Sequence, residues 1–89
     1  MIKKSLKISC PNGLEARPIA ELVQVASKYE SKIYLETDTK RVNAKSIMGM
    51  MSLNLANGDL LTVSADGNDE EDAMNEIVSF LKDKLNLLN

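Results

Sequence analysis

Histidine is missing from all 89 residues of this chain, which removes the commonest general base near neutral pH and the commonest metal ligand. The single cysteine, Cys10, excludes an internal disulfide, suits a reducing cytosol, and with scattered carboxylates makes no zinc or iron site. Aromatic residues are few. Tyr29, Tyr34 and Phe80, with no tryptophan, are too sparse to stack nucleic-acid bases. Charge of one sign is also lacking: 11 basic and 13 acidic side chains leave −2, no field for direct binding of nucleic acid or an anionic membrane. No apolar run has the length of a bilayer, and Met1-Ile2-Lys3-Lys4-Ser5 has no apolar stretch behind it, so no secretion signal is expected. Gly49, Gly58 and Gly67 stand alone and form no nucleotide loop. These absences assign no catalytic residue, no cofactor and no metal.

What remains is an ordinary globular composition, 44% apolar and 27% charged, expected to fold as one domain over residues 1–89 with one modest core. Ile2, Leu6, Ile8 and Cys10 alternate with polar neighbours as a strand, broken once by Lys4. Pro11-Asn12-Gly13 stops it. Ile19, Leu22, Val23 and Ala26 share one face of a helix beginning near Glu15 or Ala16, with Pro18 in its first turn and Lys28 near its negative end. Ile33 and Leu35 mark a second strand, Thr37-Asp38-Thr39-Lys40 a polar turn, and Arg41-Val42-Asn43 a third strand closing a hairpin. A short helix is expected over Ile47 to Leu53, and a fourth strand carries Leu61, Val63 and Ala65. Asp69 is placed to cap a last helix with Glu70-Glu71-Asp72 in its first turn, Met74, Ile77, Val78, Leu81 and Leu85 as its buried stripe, and Lys82 and Lys84 near its end. The order β-α-β-β-α-β-α, with one polar face on every strand, predicts an α+β fold: a four-stranded antiparallel sheet covered on one face by three helices.

Two segments bear on function. Gly13-Leu14-Glu15-Ala16-Arg17-Pro18 leads into a helix start, whose free N–H groups suit an anion, and Arg17 adds a forked donor that grips phosphate. On the physics alone, solvated side chains around a helix start are the better account of Glu15 and Arg17. In Asn43-Ala44-Lys45-Ser46-Ile47-Met48-Gly49-Met50-Met51-Ser52-Leu53, Ser46 is a natural N-cap, and a phosphate there would add roughly −1.5 to −2 charge. Ile47, Met48, Met50 and Met51 are too many apolar side chains for so short a helix to bury, so part of the set is expected as an adaptable contact surface and part as core. Lys40, Arg41 and Lys45 read as a solvated basic face.

These two segments, at this separation, resemble the two signatures of HPr, the histidine-containing phosphocarrier family, over essentially the whole chain. The resemblance implies a bacterial, cytoplasmic protein with an open-faced sandwich fold. In that family a histidine takes phosphate from enzyme I, which draws it from phosphoenolpyruvate, and passes it to EIIA domains. Glu15 occupies that position here. Arg17, which steadies the phosphohistidine in the family, is retained. The serine matching Ser46 is phosphorylated by HPr kinase/phosphorylase with ATP, and the product is a corepressor for CcpA-type repressors.

An imidazole forms a phosphoramidate that transfers readily, whereas a carboxylate would form at best a labile acyl phosphate. The chain is therefore similar in logic to the Crh-like branch of the family, which has glutamine in place of the histidine and keeps the serine. A fixed charge on Glu15 beside Arg17 would imitate phosphohistidine at about half its charge. The reading that follows is a regulatory phosphoprotein, with Ser46 as phosphoacceptor, Arg17 as anion partner, and Leu14, Glu15, Ile47, Met48 and Met51 facing partners. The alternative is a sugar-phosphotransferase carrier whose acceptor histidine has been replaced, naturally or by engineering, and which still docks enzyme I or EIIA domains. A purely structural binding module is a third reading.

Overall fold

Because Leu61, Val63 and Ala65 alternate with Thr62, Ser64 and Asp66, a strand here has one face to bury. In the computed structural model the sheet is assembled around it. The structure describes residues 1–7, 16–53 and 59–85, with side chains over 1–7, 19–53 and 59–83. The elements are β1 (Ile2–Lys7), α1 (Ala16–Ser27), β2 (Lys32–Glu36), β3 (Arg41–Asn43), α2 (Ile47–Met51), β4 (Leu60–Asp66) and α3 (Glu70–Leu85). The sheet order is β1-β4-β2-β3, with every neighbouring pair antiparallel. This is the α+β open-faced sandwich the pattern predicts. Part of the first strand as read from sequence, Ile8 to Cys10, lies outside the described residues, as do Glu15 and the side chain of Leu85.

The covered face carries Leu6, Leu61, Val63, Ala65, Ile33 and Leu35, all buried, against Ile19, Leu22 and Ala26 of α1 and Ala73, Met74, Ile77, Val78 and Leu81 of α3. Lys4 belongs to this face by register, opposite Val63. It sits on the outermost strand and lines an open cleft with Met74, Val78 and Lys82. The break in alternation is therefore a lysine stem lying along apolar surface while its ammonium reaches water. On the open face, the Ser5 and Thr62 hydroxyls are 2.9 Å apart, and the Arg41 guanidinium lies 4.0 Å from the Tyr34 ring centre and 3.3 Å from Glu36. Ser64 departs from the polar-out pattern: it is buried, because Lys3 and Tyr34 stand on either side of it in the register.

Asp69 stands at the N-cap position of α3, where its carbonyl accepts the Ala73 N–H at 2.9 Å, but its side chain is used across the fold. Its carboxylate accepts bonds from the backbone N–H of Glu30 and of Ser31, both at 2.9 Å, and from the Ser31 hydroxyl. It thus ties the α1–β2 turn to the start of α3, a demand set by tertiary contact rather than by the helix. Glu70 instead reaches back to the Gly67 N–H at 3.2 Å. A Cβ on Gly67 would stand 2.6 Å from Ser31 Oγ and 2.7 Å from its Cα. That approach admits only glycine. Lys28, expected at the α1 dipole, pairs with Glu76 of α3 at 2.8 Å, and the Tyr29 hydroxyl donates to the same carboxylate.

These bonds set the titration of the groups involved. The Ser31 hydroxyl and then the Glu30 N–H hold Asp69 below its ordinary range. The Gly67 N–H does the same for Glu70, and Lys28 followed by Tyr29 for Glu76. Donating to Glu76 is the main cause that pushes Tyr29 up to about 12.

Gly67→Ala is expected to cost about 1–3 kcal/mol through overpacking against Ser31, read as a lower urea midpoint with unchanged slope. A carboxylate whose folded pKa is depressed contributes stability above its unfolded pKa and loses it as pH falls through the folded one. Asp69→Asn should therefore lower stability near neutral pH. Its deficit relative to the parent should shrink on acidification below the ordinary carboxylate range, as followed by urea denaturation at stepped pH.

Candidate functional site

The approach to α2 is fixed by backbone bonds before any helix forms. Buried Ala44 donates to the Ile33 carbonyl at 2.9 Å. The Lys45 N–H meets Asn43 Oδ1 at 2.8 Å, and the Ser46 N–H meets the Asn43 carbonyl at 3.0 Å. Ser46 is left extended, at φ −105° and ψ 113°, the conformation of an N-cap. Its Oγ accepts the Gly49 N–H at 3.2 Å. The serine is exposed, so the predicted cap is formed and its hydroxyl is open to solvent. A Cβ at Gly49 would stand 3.4 Å from Ser46 Oγ and 3.7 Å from Val42 Cβ, ordinary van der Waals contact, so the cap itself does not require glycine there.

The helix ends earlier than Leu53, at Met51. The Ser52 N–H is shared between the Met48 and Gly49 carbonyls at 3.2 and 3.1 Å, and its hydroxyl donates to the Gly49 carbonyl at 2.7 Å, which tightens the last turn. Leu53 remains a core anchor just beyond it. Of the four apolar side chains of α2, Met50 is fully buried, while Ile47, Met48 and Met51 are 47%, 82% and 53% exposed. Inward and outward roles separate as the 3.6-residue period requires.

The basic residues nearby are not a free face. Lys45 is half-buried and its ammonium donates to the Tyr29 carbonyl, just past α1, at 2.6 Å. Lys40 reaches the Ser52 carbonyl just past α2 at 2.7 Å. Arg41 lies on Tyr34 and Glu36 as described above. Carbonyls left without partners at helix ends attract these cations. Neither tether was expected from the sequence, where their sixteen- and twelve-residue separations produce no periodic signal.

Of the residues singled out from sequence, the structure brings together Ser46, Ile47, Met48 and Met51. Leu14 and Glu15 lie outside the described residues, and Arg17 is placed only as backbone in the first turn of α1, the helix that packs on α2. Among the described residues no group of His, Cys, Asp or Glu is arranged to hold a metal ion, and no helix is long and apolar enough to cross a membrane. Chemically, the site offers a hydroxyl whose lone pair takes an N–H and whose own proton is available to an external base. Such a hydroxyl has the chemistry to accept a group from another enzyme. Ser46→Ala is expected to cost about 1 kcal/mol as a lost cap, measured by urea denaturation.

A family model described as the PTS HPr component phosphorylation site matches residues 2–83. The HPr-like protein Crh of Halalkalibacterium halodurans is 44% identical over 82 residues, covering 92% of this chain and 98% of its own. The HPr-like protein Crh of Bacillus subtilis is 39% identical over 85 residues, covering 96% and 100%. The crystal structure of HPr-C-His from Thermoanaerobacter tengcongensis superposes with a TM-score of 0.86 at 46% identity, over 94% of each chain.

Proposed function

This chain belongs to the HPr family, and on that footing we propose that it is a regulatory phosphoprotein of the bacterial phosphotransferase and carbon catabolite control system, switched at Ser46. The supporting observation is the exposed hydroxyl at the mouth of α2, beside the outward Ile47, Met48 and Met51, in a chain without histidine. HPr kinase/phosphorylase supplies the base: Ser46 Oγ attacks the γ-phosphorus of ATP, the serine proton goes to the kinase, and ADP leaves. The phosphoserine carries roughly −1.5 to −2 charge. Arg17 pairs with it, and a CcpA-type repressor reads the phosphate together with the apolar patch. Leu14 and Glu15 are further partner-binding residues in this reading, with Glu15 holding the sequence position of the family's carrier histidine. Without an imidazole the phosphocarrier step has no acceptor, so enzyme I and EIIA domains, where they dock, bind without transfer. The site of action is the cytoplasm.

Incubation with HPr kinase/phosphorylase and ATP should add one phosphate, Ser46→Ala should add none, and enzyme I with phosphoenolpyruvate should leave the mass unchanged. An unmodified parent chain after the kinase incubation would overturn the assignment. Phosphate acquired from phosphoenolpyruvate would restore the carrier reading.

A further inference from the structure

The five methionines of the chain fall into two groups. Met50 and Met74 are 0% and 6% exposed, whereas Met48 and Met51 are 82% and 53% exposed and Met1 is 63% exposed. Met48 and Met51 stand three apart on α2, on neighbouring turns of one face, with Ile47 beside them and the Ser46 cap at the head of the same helix. A thioether is soft and fits an irregular apolar partner, but it is also open to oxidation wherever a peroxide can reach it. We propose that Met48 and Met51 are a reversible oxidation site that releases the partner recognising the Ser46 surface. The inference rests on the reading of Ile47, Met48 and Met51 as the contact patch.

The chemistry balances with a hydroperoxide as oxidant. A sulfur lone pair attacks the distal peroxide oxygen, the O–O bond breaks, an S=O bond forms, and water or an alcohol leaves. Reduction by a thiol-dependent sulfoxide reductase removes the oxygen as water while two thiols become a disulfide. Each sulfoxide places a strong hydrogen-bond acceptor where the partner presents apolar atoms, and such a group is costly to bury unsatisfied. Ser46 itself is untouched, so phosphorylation and recognition become separable. The fold is spared because α2 is held inward by Met50 and Leu53, both buried, which peroxide reaches poorly or cannot oxidise.

The test uses the full chain, phosphorylated at Ser46 and treated with graded hydrogen peroxide. Peptide mass analysis should show Met48 and Met51 oxidised well before Met50 and Met74, with Met1 as the exposed control away from the patch. The melting temperature should hold while affinity for the repressor falls at least tenfold, returning after reductase treatment. The double substitution Met48→Leu with Met51→Leu, whatever its own untreated affinity, should lose less than about threefold of that affinity on peroxide treatment although Met1 still oxidises. Equal oxidation of the buried pair, or affinity unchanged with both sulfoxides formed, overturns the inference. So does equal peroxide sensitivity in the leucine variant. Absence of repressor binding before any oxidation would instead refute the regulatory reading, and the order of oxidation would still decide whether these thioethers are the oxidised pair.

Discussion

Helix α2 has five residues, far below the length at which a helix holds itself in water. Everything the candidate site does depends on how this short piece is pinned. Met50 and Leu53 enter the core, Ser46 closes the first turn, and Ser52 tightens the last. Lys40 reaches the backbone past its far end, while Lys45 ties its leading loop to the end of α1. None of these contacts uses the side chain of Ile47, Met48 or Met51. The outward surface of α2 is thereby released from structural duty, and its side chains can be chosen for contact.

Ser46 combines two requirements that usually conflict. A structural hydroxyl is normally satisfied by being buried, whereas a modified one must be reached by an enzyme. An N-cap reconciles them, because the bond from the Gly49 N–H needs one lone pair and leaves the rest of the oxygen in solvent. Modification at such a position needs no unfolding of the core. The Lys45 ammonium is already engaged by the Tyr29 carbonyl, so its charge is directed at the end of α1 and not at the Ser46 hydroxyl.

The strands and helices that bury one face were legible in the sequence, because a period of 2 or 3.6 survives in single residues such as Leu61, Val63 and Ala65 or Ile77, Val78 and Leu81. The cap at Ser46 and the overfull apolar content of α2 were legible for the same local reason. What stayed hidden joins distant turns. Asp69 starts the last helix as its neighbours suggest, but its carboxylate oxygens go to Glu30 and Ser31, thirty-nine and thirty-eight residues away. Gly67 looks like a turn residue, yet what demands glycine is the approach of Ser31. Lys28 satisfies a helix-dipole pattern and in fact crosses to Glu76. Local chemistry proposes a role for each, and tertiary packing reassigns it.

The exposed apolar cluster is hard to explain as an accident of folding. Met50 and Leu53 already anchor α2, so polar side chains at positions 47, 48 and 51 would hold the helix equally well and favour solubility. The sheet edges are guarded: the outer strands carry Lys3, Lys4 and Lys7 on β1 and Arg41 on β3, charges that discourage pairing of sheet edges between molecules. A sequence that protects its edges and leaves Ile47, Met48 and Met51 bare beside an exposed serine has a surface suited to a partner. With no imidazole to carry phosphate onward, the chemistry left at that surface is the hydroxyl at the head of the helix.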